Sequence, residues 1–165
     1  MKLGLTKAPA SNEQDESIIK PVYGTDYAAC FDLKADIKGR EIKFKYGGLD
    51  DSYPMDKYES YMVVGGECTL IPTGFIFDIP AGFRMNIVPR SGLAWKHGVT
   101  IMNAPATIDS DYTDETFVIV WNTTDEPFTI NHGDRIAQAE INPVYRVELD
   151  SLGERDGGFG STNLQ

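Results

Sequence analysis

Between residues 68 and 141 the chain is interrupted so often by Gly, Pro, Asn and Asp that no long helix fits through it. What remains apolar is short: "CTLIPTGFIFDIP" (68–80), "FRMNIV" (83–88), "FVIVW" (117–121) and "RIAQAEI" (135–141). Runs of this length, bounded by turn residues, read as strands. Within the last run, alternation sets Ile136, Gln138 and Glu140 on one side and Ala137, Ala139 and Ile141 on the other. One helix start is persuasive: Ser91 as cap before "GLAWKHG", with Gly98 as the stop. Many short strands with one helix predict an all-β barrel or sandwich.

At 165 residues and 41% hydrophobic content, the chain suffices for one domain with a real core. Residues 1–19 lack periodicity and are expected to fray. Residues 38–66 read as an excursion between strands, holding Tyr46, Tyr53, Tyr58 and Tyr61. The expectation is a surface hairpin packed by its own aromatics; a protein-binding flap is the sharper alternative. Residues 153–165, "GERDGGFGSTNLQ", are too glycine-rich to hold a core and read as a mobile arm.

The formal net charge of −10, with no basic stripe, disfavours a nucleic-acid partner. A small anionic ligand stays open, because a few local donors can outvote a distant net charge. Cys30 and Cys68 form no CxxC and no secretory segment precedes them, which fits a reducing, cytoplasmic setting. No apolar stretch reaches membrane-spanning length, so no membrane partner is expected. His97 and His132 lack ligand-spaced neighbours and read as ordinary loop histidines.

Three stretches carry chemistry. "TIDSDYTDE" (107–115) packs four carboxylates, Asp109, Asp111, Asp114 and Glu115, in front of a core strand. Alone it reads as a solvated turn. "VPRSGLAWKHG" (88–98) offers the Arg90 fork, the Ser91 hydroxyl and the open backbone of Gly92. It suits either a capped turn or an anion site at a helix start. "GFGST" (158–162) places Phe159 among glycines and hydroxyls, either as a disordered end or as a lid that orders over a ligand.

Taken in order, "AACFDLKA" (28–35), "PRSGLA" (89–94), "TIDSDY" (107–112), "GDRIAQ" (133–138) and "GGFGST" (157–162) resemble the five motifs of the homotrimeric dUTPases. The resemblance spans residues 20–162 and implies a distorted β jelly roll of the β-clip type. It implies a homotrimer in which each active site draws on all three subunits. The implied reaction is hydrolysis of dUTP to dUMP and pyrophosphate with Mg²⁺, removing dUTP and supplying dUMP for thymidylate synthesis.

By the same resemblance, the "TIDSDY" hairpin is the deoxyuridine pocket, with Thr107, Ile108, Asn103 and Phe117 contributing. Asp109 aligns with the general base, and aspartate carboxylates in water are anionic at neutral pH and able to take a proton. Tyr112 aligns with the ring beneath the deoxyribose, and Asp111, Asp114 and Glu115 are left as turn and surface charges. Arg90, Ser91 and Gly92 would hold phosphates, and Gln138 would line the α-phosphate region. Asp32 would reach Mg²⁺ through water, in the outer shell. Phe159 and Gly160 would cover uracil, with Arg155, Ser161 and Thr162 at the terminal phosphates.

Some positions depart from the family pattern. Cys30 stands where the first motif usually has Gly, and Ala106 and Asp114 replace flanking glycines of the third. Arg155 lies one residue nearer the glycines than usual, and Asn163 replaces a final Gly. The deoxycytidine triphosphate deaminases share the fold but need an acid just before the third motif, and "VTIMNAPATI" (99–108) has none. A nucleotide-switched regulator, non-catalytic or moonlighting beside catalysis, is the other reading; Asp109 favours an active enzyme, and the two roles can coexist.

Overall fold

Alternation of buried and exposed side chains builds most strands of the computed structural model, which describes residues 2–11, 18, 20–56 and 58–150. The elements in chain order begin with β1 (Gly4–Lys7), β2 (Phe31–Lys34), β3 (Glu41–Tyr46), β4 (Leu49–Pro54) and β5 (Ser60–Val63). β6 (Cys68–Pro72), β7 (Phe75–Asp78), β8 (Phe83–Val88) and the helix α1 (Ser91–His97) follow. β9 (Val99–Ile101), β10 (Ala106–Ile108), β11 (Phe117–Asn122), β12 (Phe128–Asn131) and β13 (Arg135–Pro143) complete the series.

All strand pairs are antiparallel, in a five-stranded sheet ordered β4-β3-β6-β11-β9 and a four-stranded sheet ordered β10-β8-β13-β2. Two-stranded sheets, β1-β7 and β12-β5, flank them. Leu33, Ile42, Val63, Ile71, Ile87 and Val120 belong to one apolar cluster that every sheet feeds. This is the distorted all-β jelly roll the sequence predicts. Among the described residues no helix is long and apolar enough to cross a membrane.

Several expectations need correction. Gly4–Lys7 does not fray: it pairs with β7, because Leu3 and Leu5 pack on the core and Ala8 is buried. The stretch 68–80 is two strands in different sheets, broken at Gly74 (φ 78°), where an added Cβ would lie 2.8 Å from Asp36 Oδ2. In β13 a register shift between Arg135 and Ala137 adds a residue, so Ile136 is buried together with Ala137 and strict alternation starts only after it. The helix is capped by Arg90, in extended conformation, whose carbonyl accepts N–H bonds from Leu93 and Ala94. Ser91 is therefore the first helical residue rather than its cap. Gly98 ends the helix as predicted, left-handed at φ 61°.

Residues 38–66 do contain a hairpin, β3–β4, closed by Gly47 and Gly48, and Tyr53 packs against Tyr58 and Tyr61. They are not an insertion hung outside the fold, however. β3 also pairs with β6, and Ile42, Met55 and Val63 are wholly buried.

The largest surprise is a buried ionic junction. Arg40 donates from Nη1 to Asp36 Oδ2 at 2.6 Å and from Nη2 to Glu115 Oε2 at 2.5 Å. Glu115 Oε1 accepts the Gly74 N–H at 2.8 Å. Glu115 is thus not a surface charge, since its side chain is only 10% exposed. His132 is not an ordinary loop histidine either: its ring is buried, and Nδ1 accepts the N–H groups of Ile37 and Lys38 at 3.1 and 3.2 Å.

Removing the cation would leave two carboxylates desolvated and unpaired. Arg40→Ala is expected to cost about 3–5 kcal/mol of stability, the scale for breaking a buried ion pair. A urea titration of the variant against the parent chain measures it. A loss under 1 kcal/mol, on the order of a surface pair, would refute the assignment.

Candidate functional site

The strand order β8-β13-β2 lays three motifs side by side. Gln138 is the register partner of both Val88 and Asp32, so the first, second and fourth motifs meet at one end of the four-stranded sheet. Asp32 is the hub there. Its Oδ1 accepts from Arg90 Nε at 2.9 Å and its Oδ2 from Arg135 Nη1 at 3.2 Å. Arg90 Nη1 also donates to the Arg135 carbonyl at 3.2 Å, and Gln138 Nε2 to the Pro89 carbonyl at 3.0 Å.

One carboxylate therefore orients two guanidiniums without neutralising both. Cavities of about 150 Å³, with Lys20, Asp32, Lys34 and Arg135, and about 230 Å³, with Arg90 and Arg135, flank them. On a chain of net charge −10 this is a local concentration of cations suited to a polyphosphate. Ser91 and Gly92 are exposed beside it at the start of α1.

The third motif lies elsewhere. Asp109, Ser110, Asp111 and Tyr112 form an exposed turn in which the Tyr112 N–H donates to the Asp109 carbonyl at 3.2 Å. The Tyr112 hydroxyl donates to the Glu115 carbonyl at 2.9 Å. Burial, then Asp114 and Glu115, push this phenol above its ordinary range, so it stays a donor. Asn103 and Thr107 are exposed, Ile108 and Phe117 half-buried, and Asp111 and Asp114 exposed as expected.

The expected hairpin is corrected. β10 pairs with β8, whereas β11 pairs with β6 and β9, so the loop crosses between sheets. Ile108 sits opposite Met85, five positions before Arg90. Asp109, one residue further on, is level with a point six positions before Arg90, so at about 3.3 Å per residue roughly 20 Å separates them along β8.

Arg155, Phe159, Gly160, Ser161 and Thr162 lie outside the described residues. Reading the sequence missed Arg135, Lys20 and Lys34. Arg135 stands inside the quoted "GDRIAQ", and its signal was a cation three residues before Gln138.

Among the described residues no three His, Cys, Asp or Glu side chains cluster as metal ligands. Both oxygens of Asp32 already accept a guanidinium N–H, and its side chain is 25% exposed. Such a carboxylate fits an outer-shell place, accepting from water on a cation held by phosphate, better than a direct bond. Nearby, burial first, then Glu140 and Asp32, hold the Cys30 thiol above its usual range.

The dUTPase family model matches residues 53–163. The deoxyuridine 5'-triphosphate nucleotidohydrolase of Rhizobium leguminosarum bv. trifolii is 39% identical over 155 residues, covering 90% of this chain and 88% of that one. Its counterpart in Rhizobium meliloti is 42% identical over 156 residues, covering 91% and 86%. Among solved structures, the dUTPase from Streptococcus mutans aligns with a TM-score of 0.68 at 22% identity, covering 88% of this chain and 98% of that one. That of phage phi11 of S. aureus aligns at 0.70 and 17% identity, covering 96% and 100%. A mutant of the same phage enzyme is described as coordinating a structural Mg(II) ion.

Two measurements test this geometry. Lysine cannot reproduce the paired contacts of Arg90, so Arg90→Lys should weaken binding of inorganic triphosphate about 10–100-fold by calorimetry, the scale of one or two charge-assisted bonds. A raised thiol pKa means less thiolate at a given pH. In a Cys68→Ser background Cys30 should therefore react with iodoacetamide at pH 8 more slowly than free cysteine, and speed up as pH rises.

Proposed function

The chain belongs to the dUTPase family, whose activity is dUTP hydrolysis, and we propose that it does this by Asp109-directed attack of water on the α-phosphorus. The observation that carries the reading is the Asp32–Arg90–Arg135 cluster, where three of the family's five motifs converge. The water oxygen bonds to the α-phosphorus while Asp109 takes its proton. The bond from that phosphorus to the β-phosphate oxygen breaks, and dUMP and pyrophosphate leave.

Arg90 and Arg135, fixed in advance by Asp32, meet the charge that builds on the phosphate oxygens, and Gln138 positions the α-phosphate and the water. Mg²⁺, when bound, would neutralise phosphate charge, with Asp32 accepting from its water shell. Backbone groups at Thr107 and Ile108, with Asn103, read the uracil edge, and Phe117 supports that pocket. Tyr112 lies under the deoxyribose and leaves no space for a 2′-hydroxyl. A cytosine edge would leave buried groups unpaired, which rejects it. Phe159 and Gly160 close over the base, while Arg155, Ser161 and Thr162, beside Ser91 and Gly92, hold the outer phosphates.

The register on β8 supports a homotrimer. One copy holds Asp109 and Arg90 at opposite ends of the strand, so a site that uses both takes them from different copies. Neither flanking cavity reaches the roughly 300–1,000 Å³ of a small-molecule site. Past β13, Tyr145, Val147 and Leu149 alternate and are all exposed, apolar surface that a neighbouring copy would cover.

Pyrophosphate release should be seen with dUTP and not with dCTP, dTTP or UTP. Asp109→Asn should lower turnover about 10²–10⁴-fold with dUTP affinity kept, the range for losing a general base. Light scattering should give three times the 18.3 kDa chain mass. Undiminished turnover in the variant would remove Asp109 from its role, and a monomeric mass would remove the shared site.

A further inference from the structure

The tyrosines of residues 38–66 are not absorbed by nucleotide chemistry. Phe44, Tyr46, Tyr53, Tyr58 and Tyr61 surround a cleft of about 450 Å³ between the β3–β4 hairpin and β5. Tyr46, Tyr53 and Tyr58 are 48%, 44% and 56% exposed, so a ligand would cover a real aromatic surface. Glu67 lies in the cleft wall, itself 3% exposed. Its carboxylate accepts from the Tyr61 hydroxyl at 2.8 Å, from the Thr69 hydroxyl and from the Val64 N–H at 3.2 Å.

Strand alternation sorts the charges. Lys43 and Lys45 point to the opposite face from Phe44 and Tyr46. On the lysine face Lys45 bridges Asp50 at 3.0 Å, and the Ser52 hydroxyl donates to Glu41 at 2.5 Å. The aromatic face carries Asp51, register partner of Phe44, and among the described residues no Lys or Arg lines the cleft. Aromatic walls, one buried carboxylate, a second carboxylate on the same strand face and, among the described residues, no cation suit a planar organic cation.

We propose that this cleft binds an arginine side chain of a protein partner, its guanidinium stacked on Tyr53 and Tyr58 under the field of Asp51 and Glu67. The site is remote in chemistry from the triphosphate cluster, which selects anions, and it is independent of the hydrolytic reading. Two features carry it: the exposed tyrosines and the segregation of Lys43 and Lys45 onto the opposite strand face.

Calorimetry on the full-length chain with tetra-arginine, tetra-citrulline and tetra-proline peptides tests this. Saturable binding of tetra-arginine is expected, with tetra-citrulline and tetra-proline at least tenfold weaker. Tyr53→Ala and Tyr58→Ala should each weaken tetra-arginine binding at least tenfold, and Asp51→Asn several-fold, with dUTP turnover unchanged as the check on folding. Should Tyr53→Ala unfold, Tyr53→Leu keeps the volume without the ring face and should lose the same affinity. Tetra-arginine binding that survives both tyrosine substitutions would reveal mere attraction to the acidic chain and overturn the site. Tighter binding of tetra-proline would make it a groove for polyproline, and an oligomer mass that falls on Tyr53→Ala would make it a contact between copies; either result overturns it.

Discussion

The Arg40 guanidinium, held between Asp36 and Glu115, anchors the loops that the functional motifs hang from. Asp36 closes the segment that carries Asp32, and Glu115 closes the turn that carries Asp109 and Tyr112. Glu115 also takes the Gly74 N–H where the chain leaves one sheet for another. A loop that crosses between sheets has no hairpin partner to fix its exit. Here a buried charge does that fixing, and desolvation makes the geometry stiff because any misalignment exposes an unpaired ion.

The same device recurs at lower burial around Asp32. A carboxylate with a cation on each oxygen costs less to place at the surface, and leaves the Arg90 and Arg135 side chains partly exposed. Orientation is thus settled within the chain itself, so an anion received there would have less order to impose. The two clusters divide the labour: the buried one holds backbone, and the partly open one presents donors.

Legibility in the sequence followed the range of the interactions. Short apolar runs bounded by turn residues, such as Phe117–Asn122 and Phe83–Val88, and the glycine that stops the helix at Gly98, could be read directly. So could the ordered motifs. Pairing could not: nothing near "TIDSDY" says that its strand joins β8 rather than β11, and Glu115 looks like any turn acid until Arg40, 75 residues away, is brought beside it. Leu3 and Leu5 were too few to predict β1, whose burial comes from β7. Arg135 was passed over because its contact is with Asp32, 103 residues away, rather than with its neighbours in sequence.

The placement of Asp109 and Arg90 at opposite ends of β8 has a genetic side. When a site is shared, an allele does not act alone. Two inactive chains with lesions at different ends of the strand can restore each other's function in a mixed assembly, and one defective chain can spoil sites built largely from sound copies. Inheritance at such a locus would follow the rules of mixed assemblies rather than those of single polypeptides.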